Sequence, residues 1–185
     1  MPQSQRLREQ TISTLTGWQE RLREFVGSAS STGKVALVGV GHPLRGDDYV
    51  GSQIVKTLSE QVERDIRAGL YLFDAESDVE SVIMKLAAMA PKLVIFIDAC
   101  DMKLRPGETQ LLPIEETSYP FFTTHGIPLK VLAMQLLPKS ETWVLAIQPK
   151  QIEFAEELST EVRAAALSIS QFLTEILEEE LTVAD

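Results

Sequence analysis

Histidine is scarce in this chain, and both copies, His42 and His125, lie in loop-like stretches rich in glycine and proline. His42 belongs to Gly41-His42-Pro43-Leu44-Arg45-Gly46-Asp47-Asp48, and His125 to Phe122-Thr123-Thr124-His125-Gly126-Ile127-Pro128. A third polar group, Asp98-Ala99-Cys100-Asp101, closes the apolar run Leu93-Val94-Ile95-Phe96-Ile97. An ionised carboxylate at the end of such a run is costly unless it is paired or metal-bound. Asp48 could serve only as a negative charge at a helix start, but two adjacent acids after a glycine exceed that need. Two carboxylates and an imidazole make a hard-to-borderline donor set suited to nickel, zinc, iron or manganese. An incomplete ligand set of this kind leaves positions open for substrate or water. The bland alternatives are a turn-capping histidine, a dipole-facing aspartate and, for Asp101, a surface charge.

The surrounding pattern says what must hold these groups. Val35-Ala36-Leu37-Val38-Gly39-Val40 reads as a strand buried on both faces. A helix with Val50, Ile54, Val55 and Leu58 follows from about Asp48. Leu70 to Phe73 forms a second strand ending at Asp74, a helix carries Val79, Val82, Ile83 and Leu86, and Leu93 to Ile97 forms a third strand. Thr109 to Leu112 is a short edge strand, Leu129 to Leu137 a helix entered through Pro128, and Trp143 to Ile147 another buried strand. Val162, Ala166, Ile169, Leu173 and Ile176 mark a last helix with Ser159 or Thr160 as N-cap. Strands alternating with helices predict a three-layer α/β/α sandwich around a twisted, mostly parallel sheet of about five strands. Ligands in such sheets bind at the carboxyl ends of the strands, where Asp48, Asp98 and His125 fall.

Ahead of this body, residues from about 5 to 26 place Leu7, Ile12, Leu15, Trp18, Leu22 and Phe25 roughly on one helical face. The run Gly27 to Gly33 reads as a linker, giving an N-terminal helix and linker over 1–33 and a main domain over 34–180. The helix can pack on the body, the simplest use, or mediate self-association or partner recognition.

Composition narrows the function. At 185 residues the chain can bury one proper core. A net charge of -10 argues against nucleic acid and anionic lipid as partners. No apolar run is long enough to span a bilayer, and charges through the first thirty residues are unlike a signal peptide, so the expected compartment is the cytoplasm. The single cysteine excludes an internal disulfide and a cysteine-based zinc site.

Four segments, in order, resemble the motifs of the hydrogenase maturation endopeptidases, covering roughly residues 34 to 175. These are Gly39 to Asp48; Ile97-Asp98-Ala99-Cys100-Asp101-Met102 with Arg105-Pro106-Gly107-Glu108; Thr123 to Leu129; and Ala146-Ile147-Gln148-Pro149. The likeness is greatest to the branch that processes formate-hydrogenlyase-type large subunits. The resemblance implies an endopeptidase that removes the C-terminal extension of a nickel–iron hydrogenase large-subunit precursor after nickel insertion. It implies Asp48, Asp98 and His125 as the nickel-contacting and catalytic residues, with His42, Asp47, Asp101 and Thr124 as candidates to support them from behind. Nickel would arrive with the substrate, held by thiolates, and no tightly bound organic cofactor is implied. His42 stands where the family usually has asparagine, and Tyr49 where it usually has glycine. Tyrosine would be strained there if the position needed positive φ.

Three other readings compete. Gly39-x-Gly41 after a strand, with Asp74 ending the next, partly fits a dinucleotide-binding domain, but Pro43 and Leu44 intrude and Asp47 and Asp48 would repel a pyrophosphate. Cys100 with His125 could form a cysteine hydrolase, although a cysteine after a strand is more often apolar filler. A non-cutting checkpoint or chaperone that binds the precursor would use the same surface.

Overall fold

The structure is a computed structural model and describes residues 17–30, 34–62, 69–117, 123–124, 127–136 and 139–182. Five strands form one sheet: β1 (Val35–Val40), β2 (Leu70–Glu76), β3 (Leu93–Ala99), β4 (Thr109–Pro113) and β7 (Glu141–Ile147). Their spatial order is β2-β1-β3-β7-β4, parallel except for β4, which runs antiparallel to β7 at the edge. A two-residue ladder joins β5 (Thr123–Thr124) to β6 (Ile127–Pro128). Helices α1 (Gly17–Ser30), α2 (Val50–Gln61), α3 (Val79–Met89), α4 (Leu129–Leu136) and α5 (Thr160–Thr182) complete the described elements, with short 3-10 turns at Gly46–Tyr49 and Ile114–Glu116.

The strand period of two sorts the core into two layers. Val35, Leu37, Ile95, Ile97, Leu145 and Ile147 share one apolar cluster with residues of α1, α2 and α5. Ala36, Val38, Val94, Phe96, Val144 and Ala146 share the other with α3 and α4. The three-layer expectation therefore holds in strand number, direction and layering.

Helix α1 packs on the body, the simplest of the uses open to it from sequence. Leu22, Val26 and Ala29 belong to the first core cluster. Trp18 meets Phe172 edge-on at 5.5 Å, and Phe25 lies 4.6 Å from Trp143. The helix also runs through Gly27 to Ser30, four residues taken as linker from their propensities. Packing of Ala29 against the core outweighs those weak preferences. The predicted start near residue 5 lies outside the described residues. Strand ends shifted too: β2 continues past Asp74 to Glu76, and β3 past Asp98 to Ala99.

Candidate functional site

Three glycines let α2 descend onto the carboxyl edge of the sheet. A Cβ on Gly51 would stand 1.9 Å from the Ile97 carbonyl oxygen and 2.6 Å from that of Val40. One on Gly39 would stand 2.4 Å from the Gly51 oxygen, and one on Gly41 1.8 Å from that of Asp48. Backbone therefore touches backbone where β1, β3 and the start of α2 meet. This contact carries the Gly46–Tyr49 turn to the end of β3.

Asp48 sits in that turn, half-buried, and its Oδ2 accepts the His42 backbone N–H at 2.8 Å. Its Oδ1 is 4.0 Å from the Arg45 guanidinium. Asp98 is buried at the end of β3, 8% exposed. Burial first, and the nearby Asp48 carboxylate second, hold its carboxyl well above the usual carboxylate range, partly offset by the Ala99 backbone N–H. Two acidic groups thus lie near each other, Asp98 buried and Asp48 partly exposed. That arrangement favours a proton or a cation between them.

His42 fills a local role that explains how it can replace asparagine. Its Nδ1 accepts the Leu44 backbone N–H at 3.1 Å, the i to i+2 bond that an asparagine side chain makes in a turn. Tyr49 carries no strain: its φ is -74°. The positive values in this loop belong to Gly41 at +135° and Gly46 at +55°. The Tyr49 hydroxyl instead meets Lys56, which also pairs with Asp74 and Glu76 at 3.0 Å. These contacts, Tyr49 first, raise the Lys56 pKa.

Asp47 points elsewhere. It is fully buried and accepts four hydrogen bonds from the loop between β7 and α5: Lys150 N at 2.8 Å, Gln151 N at 3.1 Å, Ser159 N at 2.6 Å and Ser159 Oγ at 2.9 Å. Backbone bonds between Gly46 and Ala155 and between Ala155 and Leu44 lay that loop against the Asp48 turn. Asp47 is thus a loop anchor rather than a neighbour that steers Asp48 through its own side chain. Asp101 lies on the outer side of the next loop, where Lys103 first and then Gln148 hold its carboxyl below the ordinary range. Gln148, not singled out as a site residue from sequence, gathers this loop. Its Oε1 accepts Met102 N at 2.7 Å and Leu104 N at 3.1 Å. Its only advance signal was its place in the last family-like motif.

Among the described residues Asp48 and Asp98 are brought together, and no cluster of three metal-ligating side chains forms. His125 lies outside the described residues. Of Thr124 only the backbone is described, paired with Ile127. Cys100 is buried, and burial together with Asp98 and Asp101 pushes its thiol up to about 12, which withholds the thiolate that nucleophilic chemistry needs. The glycines that invited a dinucleotide reading serve the α2 contact, and two carboxylates occupy the turn where a phosphate would sit.

The sequence profile of the hydrogenase maturation proteases matches residues 52–179. The chain belongs to this family. A hydrogenase 3 maturation protease of Escherichia coli is 29% identical over 139 residues, covering 74% of this chain and 86% of its own. A provisionally named hydrogenase maturation protease of Methanocaldococcus jannaschii is 32% identical over 152 residues, 79% of this chain and 89% of the relative. The crystal structure of the [NiFe] hydrogenase maturation protease HycI from Thermococcus kodakarensis superposes with a TM-score of 0.72 at 26% identity, covering 83% of this chain and 99% of that one. This maturation protease is accordingly a peptide-bond hydrolase with the family's α/β fold. No helix among its described residues is long and apolar enough to cross a membrane.

Proposed function

We propose that this maturation protease acts in the cytoplasm on the large-subunit precursor of a nickel–iron hydrogenase, removing its C-terminal extension once nickel is in place. Nickel is part of the substrate here. Asp48, Asp98 and His125 are the residues assigned to meet it, and the ion's own thiolate ligands come with the precursor. The reading rests most on the buried Asp98 facing Asp48. Such a pair is poorly stable as two bare charges and well suited to receiving a cation.

A divalent ion docked there would lower the proton affinity of both carboxylates and align the adjacent peptide segment. Water could then be activated by nickel as Lewis acid or by a carboxylate as general base. Both routes make cleavage depend on a loaded substrate, so recognition and timing are one event. The two departures from the family pattern do not argue for a non-cutting checkpoint. His42 closes its turn as asparagine would, and Tyr49 sits at an ordinary φ.

The test is cleavage of a co-expressed large-subunit precursor, with and without nickel, followed by loss of the extension on a denaturing gel and by mass. Processing only with nickel is the expected result. Cutting of the nickel-free precursor would refute metal-gated recognition, and no cutting in either state would refute the assignment of this substrate.

A further inference from the structure

An open groove of about 390 Å³ runs between α2 and α5, lined by Tyr49, Gln53, Thr57, Leu158, Arg163 and Leu167 among others. It begins at the residue that follows Asp48. Gly51 in the first turn of α2 abuts the carbonyls of Ile97 and Val40 at the carboxyl ends of β3 and β1. The groove therefore leads away from the candidate centre along the outer side of the helix. Tyr49, Gln53 and Thr57 recur every fourth residue and form a single row. At ~1.5 Å per residue the row is ~12 Å long, the reach of about four residues of extended chain at ~3.3 Å each.

The lining suits a peptide. The exposed Gln53 can give and accept backbone hydrogen bonds, while Leu158, Ala166 and the 59%-exposed Leu167 offer apolar contact. Phe154 and Ile152, 80% and 45% exposed, stand on the loop that borders it. That loop is fixed to the candidate centre by Asp47. The charges are unequal: Glu156 and Glu157 face one guanidinium, Arg163, which Glu157 already holds at 2.8 Å. An occupant with a positive side chain would balance Glu156.

We propose that this groove binds an extended segment of the substrate subunit, about four residues flanking the bond that is cut, with a basic side chain toward Glu156. The proposal names a subsite of the reaction assigned above and rests on that assignment. Tyr49 would form its inner wall, held upright by Lys56.

Two variants at exposed positions test it without touching the core. Gln53→Trp fills the groove and Glu156→Lys reverses its rim charge; melting curves confirm that both fold. A photo-crosslinking amino acid in place of Leu167 reports what lies there. With nickel-loaded precursor, KM should rise several-fold more than kcat falls in both variants, and the crosslink should map to the segment around the cut. Wild-type cleavage with variant KM unchanged overturns the groove and leaves the protease assignment intact. A precursor crosslinked at 167 but never cut upholds the groove and sinks the assigned reaction. Neither cleavage nor crosslink overturns both.

Discussion

An Asp98→Asn variant keeps the shape of the side chain and removes its charge. Unfolded, Asp98 ionises near pH ~4; folded, burial and Asp48 keep it protonated to higher pH. Its contribution to stability is therefore whole below ~4 and is lost as pH rises through the raised folded value. Melting curves should coincide for variant and wild type near pH ~3–4, with the variant increasingly more stable toward neutrality. A difference flat in pH would show that Asp98 is not the perturbed acid. Processing should be abolished by the same change. Asp47→Ala acts oppositely: it removes the buried carboxylate to which Lys150, Gln151 and Ser159 donate. It should cost on the order of 3 kcal/mol in a urea titration. At this scale Asp98 could be singled out from sequence because a charge ending an apolar strand is conspicuous. Asp47 could not be told from Asp48, since adjacent residues look alike until the turn sends their side chains to different places.

Among elements, the seat of α2 on the sheet is the most exacting. Gly51→Ala would drive a Cβ into the Ile97 carbonyl, so the helix must lift or tilt. A loss of about 1–3 kcal/mol is expected, with processing falling further because Asp48 moves away from Asp98. Gly17→Ala, where nothing lies within 4 Å, is the control and should be close to neutral. Hydrophobic runs sufficed to place the strands and the helices over most of their length. Gly51 gave no signal, because a glycine inside a helical pattern reads as a mild defect until the neighbouring backbone is known. The same limit misread Gly27 to Ser30, whose helical state comes from what Ala29 touches.

For the molecule as a whole, α1 behaves as part of the core. Removing residues 1–30 would uncover Trp143 and Phe172 and leave Leu22, Val26 and Ala29 without replacement. The truncated protein should unfold at markedly lower urea or fail to stay monodisperse by gel filtration. An unchanged midpoint would mean that the helix is a mere appendage. The layered sheet was legible because its alternation is written in apolar residues. That α1 packs on the body was the simplest reading of its sequence; which residues it meets was not legible, because an amphipathic helix declares a face without naming its partner.

The Asp47 anchor joins residues 103 to 112 positions apart. A chain leaving the ribosome exposes the Asp48 turn long before Ser159 exists. Until then Asp47 stays hydrated, and the turn lacks the loop that braces it. Long-range closures of this kind are late events in folding. The carboxyl edge of the sheet around Asp48 therefore gains its brace only after residue 159 has been made, and until then the turn stands without the loop that holds it.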